Sequence, residues 1–127
     1  AFRRLLSISD SPANGVTFCQ GNFALMEGAD DVPALIREFG DRIAFSHFRN
    51  VRGTADDFVE TFHDEGMLDM RECMRALADI GFSGPLRPDH VPTMAGESNT
   101  RPGYETLGRL YALGYIRGLA EATYPRT

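Results

Sequence analysis

The stretch "GPLRPDHVPTMAGE", residues 84–97, decides how this chain is expected to fold. A short apolar segment there ends in Arg87, Asp89 and His90, three charged or titratable groups set among prolines. Such a cluster is not expected in a strand of the core, because buried charges are costly unless they are paired. It is expected where a functional site is built on the end of a strand. The stretch therefore predicts a strand over residues 84–91 that carries polar side chains to one rim of a sheet.

Two further strands are predicted upstream, and each of them also ends near a potential ligand. "VTFC", residues 16–19, ends at Cys19, and "RIAFSHF", residues 42–48, contains His47 near its end. In parallel α/β folds the active site lies at the carboxyl ends of the strands. Sulfur, nitrogen and carboxylate donors from Cys19, His47 and Asp89 would then form a metal site, provided that the three strands are neighbours.

Helices are predicted to alternate with these strands, over residues 32–39, 70–80 and 103–121, from apolar residues spaced at three and four positions. Asp30 or Asp31 can cap the first of them, which has a proline in its first turn. The repeated order of strand and helix predicts one α/β domain with a parallel sheet and right-handed crossovers. In the last helix the predicted apolar face consists of Leu107, Leu110, Tyr111, Tyr115 and Leu119.

The segments outside these elements are expected to be loops. Residues 20–30 form a glycine-containing loop, and residues 50–68 form a long polar connection, a length that is usually functional. His63 lies in that connection and is expected to be solvated, whereas Cys73 lies on an apolar helix face and is expected in the core. Tyr104 stands at the start of the last helix near the same rim, and its position alone favours a structural role.

Each candidate ligand also has an ordinary structural explanation. Cys19 alone is more often a small buried hydrophobic residue, and His47 alone is more often a satisfied histidine. Asp89 and His90 before a proline can simply start a turn. The spacing of the candidates along the chain is long and matches no compact metal motif. Only their shared placement at the ends of strands favours a site.

The composition limits the class of protein. The chain has 127 residues with 43% apolar and 24% charged content, which suits one modest core. Its net charge is −5, and its 13 basic residues are all arginine and scattered, so no nucleic-acid surface is expected. No stretch approaches the roughly 20 apolar residues of a membrane span, and no signal peptide is visible. The two cysteines are expected to be free thiols in a reducing cytoplasm.

Four segments together give the chain a specific resemblance. "FCQGNF", "HFRNVRG", "RPDHVPTMAGE" and "PGYETLGRLYALGYIRGL" closely resemble the carboxyl-terminal part of the mannonate dehydratase family, over nearly the whole chain. That resemblance implies a (β/α)₈ barrel of the xylose-isomerase-like kind. It also implies conversion of D-mannonate to 2-keto-3-deoxy-D-gluconate and water, with Fe(II) or Mn(II), in hexuronate breakdown.

The resemblance also implies a role for individual residues. Cys19, His47 and Asp89 would be the metal ligands. His90 would be a catalytic acid or base, and Tyr104 its partner in proton transfer, which replaces the structural role that its position alone favours. The residues themselves do not decide which of the two groups is the acid and which the base.

Two arginines complete the candidate site. Arg49 and Arg87 lie near the same strand ends, and that position makes them candidate partners for the carboxylate of a sugar-acid substrate.

The length of the chain departs from that of a whole barrel. A (β/α)₈ barrel typically needs about 250 residues, so residues 1–127 are expected to be the carboxyl-terminal fragment of one barrel domain, with about the last three βα units. The family has a further histidine ligand on an earlier strand. The fragment is therefore expected to be inactive alone. Separately, the full-length enzyme is expected to be a homo-oligomer. The alternatives are a related metal-dependent sugar isomerase or epimerase on the same barrel, and a non-catalytic remnant.

Overall fold

The computed structural model describes residues 1–124, in which helices alternate with strands. The strands are β1 (Val16–Cys19), β2 (Ile43–His47), β3 (Val51–Gly53), β4 (Phe58–Glu60) and β5 (Leu86–Arg87). The helices are α1 (Phe2–Leu6), α2 (Gln20–Ala24), α3 (Val32–Phe39), α4 (Met70–Asp79) and α5 (Thr106–Thr123), with a 3₁₀ turn at Gly40–Arg42.

Strands β1, β2 and β5 form a parallel sheet in the order β1-β2-β5. Its register pairs Cys19 with His47, and His47 with Arg87. Helix α3 lies in the connection from β1 to β2, and α4 lies in the connection from β2 to β5. The prediction of an α/β fold with a parallel sheet is confirmed, and the carboxyl ends of the three strands lie side by side.

Strand β5 is shorter than the strand predicted over residues 84–91, because it contains only Leu86 and Arg87. Pro85 and Pro88 flank it, and a proline has no backbone N–H to donate to a neighbouring strand. Asp89 then has a φ of 57°, in the left-handed region, so the extended backbone ends before it. The strand is predicted in the right place, and its predicted length is wrong.

Two segments predicted as loops contain regular structure. Residues 20–30 include helix α2, which starts directly after β1. Residues 50–68 include an antiparallel hairpin formed by β3 and β4. Gly53 ends β3 with a φ of 127°, and a Cβ there would lie 2.3 Å from the carbonyl oxygen of Asp57. Only glycine allows the two strands to approach so closely at this turn.

Helices α3 and α4 begin at aspartates that cap their first turns. Asp31 Oδ1 accepts a hydrogen bond from Ala34 N at 2.9 Å, which confirms the cap predicted at Asp30 or Asp31. Asp69 Oδ1 accepts from Arg71 N at 3.0 Å at the start of α4. These caps satisfy backbone donors that have no partner within the helix.

The core lies between the parallel sheet and the helices. Phe18 on β1 stacks on Phe23 of α2 with ring centroids 4.3 Å apart, and Phe39 of α3 meets both rings edge-on. Ile36 on α3 and Leu77 on α4 are fully buried in the same cluster. Side chains alternate along a strand, so Cys19 points to the face of the sheet opposite to the one on which Phe18 is buried. Cys73 is also in this cluster, as predicted.

Helix α5 differs from its predicted amphipathic pattern. It begins at Thr106 rather than near residue 103. The members of the predicted apolar face that are exposed are Leu107, Leu110 and Tyr111. Ala112 and Ile116 are buried instead, while Tyr115 and Leu119 pack against the core as partly buried residues. The contact face of the helix is therefore rotated relative to the prediction. Within residues 1–124, none of the helices is long and apolar enough to cross a membrane.

We expect Leu77→Ala to lower the free energy of unfolding by about 3 kcal/mol, because it leaves a cavity in the core. The matched control is Leu113→Ala on α5, where the leucine is exposed and the expected loss is below about 0.5 kcal/mol. Urea unfolding followed by circular dichroism measures both variants. Equal losses at the two positions would contradict the described core.

Candidate metal and acid–base site

The three predicted metal ligands converge at the carboxyl ends of the parallel strands. One ligand atom from each of Cys19, His47 and Asp89 lies within 4.8 Å of the other two. Nδ1 of His47 is 3.3 Å from Oδ2 of Asp89. Cys19 and Asp89 are buried, and His47 is partly exposed. Thiolate, imidazole and carboxylate are donors for divalent transition metals, so the residues present fit a cation.

The surroundings of His47 favour its neutral form. Partial burial lowers the pKa of His47, and the positive charges of Arg87 and Arg49 act in the same direction, while the Asp89 carboxylate opposes them. Neutral imidazole is the form that binds a metal. The ring of His47 also meets Phe45 edge-on with centroids 4.9 Å apart, which restricts its orientation.

Asp89 has a backbone conformation that is uncommon outside glycine. Its φ of 57° is in the left-handed region, which aspartate tolerates better than most residues. Oδ1 of Asp89 is 3.3 Å from an Arg87 guanidinium nitrogen, and Oδ2 is 3.6 Å from Nε of Arg49. Two arginines thus stabilise the negative charge of this buried carboxylate.

His90 and Tyr104 form a pair beside the ligand cluster. Nε2 of His90 is 2.7 Å from the Tyr104 hydroxyl, and the rings meet edge-on with centroids 4.9 Å apart. Gly103 lies against the imidazole, and a Cβ at this position would be 3.2 Å from the ring. Val91 N donates to Gly103 O at 3.1 Å, which joins the segment after His90 to the segment before α5. These contacts bring the two side chains together at the rim of the sheet.

Two glutamates hold the loop that presents Tyr104. Glu97 accepts a hydrogen bond from Leu107 N at 2.6 Å, in the first turn of α5. Glu105 is buried and accepts from Arg101 N at 2.8 Å. Each bond satisfies a backbone donor that would otherwise need water. The position of Tyr104 is therefore fixed from both sides along the chain.

The two candidate substrate arginines have different environments. The Arg49 side chain is only 4% exposed, whereas that of Arg87 is 40% exposed. Arg49 donates to the Glu60 carboxylate, to Nδ1 of His90 at 2.6 Å and to Oδ1 of Asn22 at 2.7 Å. Its donors are thus largely occupied within the protein. Arg87 is the one of the two that a ligand can reach.

Glu60 belongs to the site but has no signal of its own in the sequence. It ends strand β4, and its Oε1 contacts both Arg49 and Nδ1 of His90, the latter at 3.1 Å. The only hint is the unusual length of the polar connection over residues 50–68, because long loops are usually functional. The register of the hairpin, which brings Glu60 to the site, depends on contacts that no local pattern shows.

The expectation that His63 is solvated is wrong. Its side chain is fully buried, its ring lies parallel to Phe48, and its Nε2 is 2.5 Å from the Phe48 carbonyl oxygen. Burial lowers the pKa of His63, although the hydrogen bond to Phe48 opposes that effect. The polar connection therefore folds back over the end of β2 and encloses a neutral imidazole there.

The fold and the site together define a class of protein. It is a parallel α/β protein with a candidate cation site and a histidine–tyrosine pair at the carboxyl ends of its strands, the location of active sites in such folds. The family model described as D-mannonate dehydratase (UxuA) matches residues 1–126. The chain belongs to the mannonate dehydratase family.

Individual relatives of the chain are also mannonate dehydratases by name. A mannonate dehydratase of Enterococcus faecalis is 48% identical, with 95% of this chain and 34% of that protein covered. "Mannonate dehydratase 2" of Halalkalibacterium halodurans is 44% identical, with coverage of 94% and 35%. The crystal structure of mannonate dehydratase from Streptococcus suis serotype 2 superposes with a TM-score of 0.88 at 34% identity, covering 98% of this chain and 38% of that one. The chain thus spans about a third of the length of these relatives.

We expect stability to decline on acidification, in part because of His63. An unfolded histidine takes up a proton near pH 6.5, whereas folded His63 resists protonation because burial lowers its pKa. The free energy of unfolding is therefore highest above about pH 6.5 and falls as the pH drops toward the folded pKa. His63→Gln, which retains a donor for Phe48 O, should show a weaker dependence.

Urea unfolding at several pH values between about 8 and about 5 tests this expectation. His47 has a lowered pKa as well and contributes with the same sign, so His47→Gln is measured in parallel. An identical pH dependence in the wild type and His63→Gln would contradict the expectation.

Proposed function

We propose that this chain is the carboxyl-terminal third of a (β/α)₈-barrel mannonate dehydratase, a hydro-lyase that converts D-mannonate to 2-keto-3-deoxy-D-gluconate and water in hexuronate breakdown. The observation that carries the proposal is the convergence of Cys19, His47 and Asp89 beside the His90–Tyr104 pair. Membership of the family supports the same reaction. The cytoplasmic location expected from the free cysteines and the homo-oligomeric state expected of the full-length enzyme belong to this proposal.

The edges of the sheet support the barrel. Strands β1 and β5 are the outer strands of the parallel sheet, and within residues 1–124 each has an unpaired side. An apolar groove lined by Leu5, Leu6, Ile8 and Val16 follows the edge of β1. Unpaired strand edges beside apolar surface favour the addition of further strands, and closure into a barrel removes both edges. Residues 1–127 would then be the last three βα units of one domain.

A divalent metal is part of this proposal. Cys19, His47 and Asp89 would hold Fe(II) or Mn(II), together with the further histidine that the resemblance places on an earlier strand. The bound cation would stabilise the negative charge that develops on substrate oxygens during dehydration. The isolated chain lacks that histidine and most of the substrate pocket, so we expect it to be inactive.

Dehydration needs one proton removed from the carbon next to the carboxylate and one proton given to the departing hydroxide, which leaves as water. His90 can accept or donate a proton at Nε2, because an imidazole nitrogen can act as a general acid or base. Tyr104 can donate one from its hydroxyl, which lies 2.7 Å from that nitrogen. The pair can therefore hold and move a proton at the place where the substrate would lie.

Arg87 is the better candidate for the substrate carboxylate. Its guanidinium is partly exposed, lies 3.3 Å from Asp89 Oδ1 and is 6.0 Å from the ring centre of Tyr104. An arginine in this position can bind a carboxylate through two parallel hydrogen bonds. Arg49 stays a candidate only through its position, because its donors already bind Glu60, His90 and Asn22.

A hybrid enzyme tests the reaction. Residues 1–124 replace the matching segment of the Enterococcus faecalis mannonate dehydratase, and turnover of D-mannonate is measured. We expect activity in the hybrid and a loss of at least about a hundredfold in kcat with Asp89→Ala or His90→Ala. Asp56→Ala, an exposed aspartate on the β3–β4 turn, is the control and should leave kcat unchanged.

Full activity toward D-mannonate in both site variants would contradict the proposed roles of Asp89 and His90. Turnover of aldoses rather than sugar acids by the hybrid would favour a sugar isomerase or epimerase instead.

Metal binding has a test that does not use activity. In the metal-free hybrid, Mn(II) at about one hundred times its Kd should raise the free energy of unfolding by about 2.7 kcal/mol. Cys19→Ala should reduce that gain, whereas Cys73→Ala should retain it, because Cys73 lies in the core with its thiol pKa raised to about 12 by burial. Urea unfolding with and without Mn(II) measures the gain. Equal gains in the two cysteine variants would contradict the ligand set.

A further inference from the structure

The β3–β4 hairpin exposes two neighbouring apolar side chains. Phe58 is 41% exposed and Val59 is 57% exposed, and neither packs into the core formed within residues 1–124. Single apolar residues are common on protein surfaces, so the exposure of Val59 needs no further explanation. Phe58 differs from Val59 because it lies on the other face of the hairpin.

Phe58 shares a face of the hairpin with a residue of the candidate site. Residues i and i+2 of a strand lie on one face, so Phe58 is on the face of Glu60, and Val59 is on the opposite face. The Glu60 carboxylate contacts Arg49 and is 3.1 Å from Nδ1 of His90. Two residues of a strand span about 6.6 Å, so Phe58 stands one such step from Glu60 along the hairpin.

The strand opposite Phe58 leaves space beside its ring. Phe58 pairs with Gly53, which has no side chain to cover the ring, whereas Val51, opposite Glu60, is fully buried. The hairpin follows β2, the central strand of the parallel sheet. It therefore rises from the middle of the rim rather than from an edge at which further strands would join. A ligand in the site can reach this ring.

The polar groups of the site give a bound sugar acid a direction. The guanidinium carbon of Arg87 is 6.0 Å from the ring centre of Tyr104, and the Tyr104 hydroxyl is 2.7 Å from Nε2 of His90. Arg87 and Tyr104 thus lie on the Nε2 side of the imidazole. Glu60 and the hairpin lie on the other side, at Nδ1.

We propose that Phe58 is a substrate-binding residue whose ring covers the sugar acid at the end remote from its carboxylate. The inference rests on the proposed function, in which Arg87 binds the carboxylate and the reacting carbons lie at the His90–Tyr104 pair. The remaining carbons then extend past the imidazole to the hairpin. The C–H groups are the apolar part of a sugar acid, and the negative face of an aromatic ring attracts their weakly positive hydrogens. Apolar and aromatic side chains line most of a binding pocket, while a few polar groups fix the orientation of the ligand.

Kinetics in the hybrid enzyme test this contact. Phe58→Ala removes the ring, and we expect KM for D-mannonate to rise about tenfold. The change in kcat should be less than about twofold, because the contact is present in both the ground state and the transition state. Phe58→Trp retains an aromatic face and should keep KM within about threefold of the wild type. Val59→Ala, on the opposite face, is the matched control and should leave both constants unchanged. A role only in the folding of the hairpin would displace Glu60 and lower kcat instead.

Fluorescence measures the same contact without turnover. The indole in Phe58→Trp reports on this position, and His90→Gln is added to prevent dehydration. In the hybrid with Mn(II), D-mannonate should reduce acrylamide quenching of the indole about twofold and in a saturable way, because a bound ligand covers it. Val59→Trp with His90→Gln should show no such change. The hybrid with His90→Gln alone corrects for other tryptophans, since this chain contains none.

The outcomes separate this inference from the proposed function. In an active hybrid, a wild-type KM in Phe58→Ala, an equal change in Val59→Ala, or unchanged quenching in Phe58→Trp would each overturn the role of Phe58 and leave the proposed function standing. A hybrid that is inactive toward D-mannonate would overturn the proposed function, and the quenching measurement would then decide whether Phe58 contacts the sugar acid. If Phe58→Ala does not fold, Phe58→Leu replaces it, with an expected rise in KM of about threefold.

Discussion

The parallel pairing of β1, β2 and β5 is the constraint on which the site depends. Cys19 lies directly opposite His47, and His47 lies directly opposite Arg87, so three segments far apart in sequence end at one edge. Asp89 follows two residues after Arg87 and joins the same cluster. Because side chains alternate along a strand, a shift of one residue in this register would direct His47 toward the helices.

The second feature of the site is the balance of its charges. Arg49 is buried, and a buried arginine is tolerated only with partners. Its neighbours Glu60 and Asp89 are both acidic, and Asn22 from α2 supplies a further acceptor. Gly21 makes room for it, since a Cβ there would lie 2.6 Å from Nε of Arg49. The same guanidinium thus connects the candidate metal ligands to the candidate acid–base pair.

The sequence predicts the parallel sheet and the placement of Cys19, His47 and Asp89 because these follow from local patterns. A short apolar run with a polar residue at its end can be recognised without knowledge of the rest of the fold. Helix caps such as Asp31 are equally local. The strand ends could therefore be located, although Pro88 and the backbone of Asp89 make β5 shorter than its pattern.

The features that the sequence does not predict depend on distant contacts. The β3–β4 hairpin has few apolar residues, so its alternation is weak, and Glu60 is indistinguishable from a solvated glutamate. His63 is buried because its connection folds back onto Phe48. The exposed leucines of α5 keep the helical spacing of a buried face, but α4 contacts a different side of the helix. Tertiary packing overrides the local pattern in each case.

The backbone of Asp89 limits which residues can stand at this position. Its φ of 57° lies in the left-handed region, which glycine and aspartate adopt more readily than most residues. Glycine would fit this backbone, but it would remove an acidic partner of Arg87 and of the buried Arg49. Conformation and charge together therefore favour a short acidic side chain, and aspartate is the shorter of the two acidic residues.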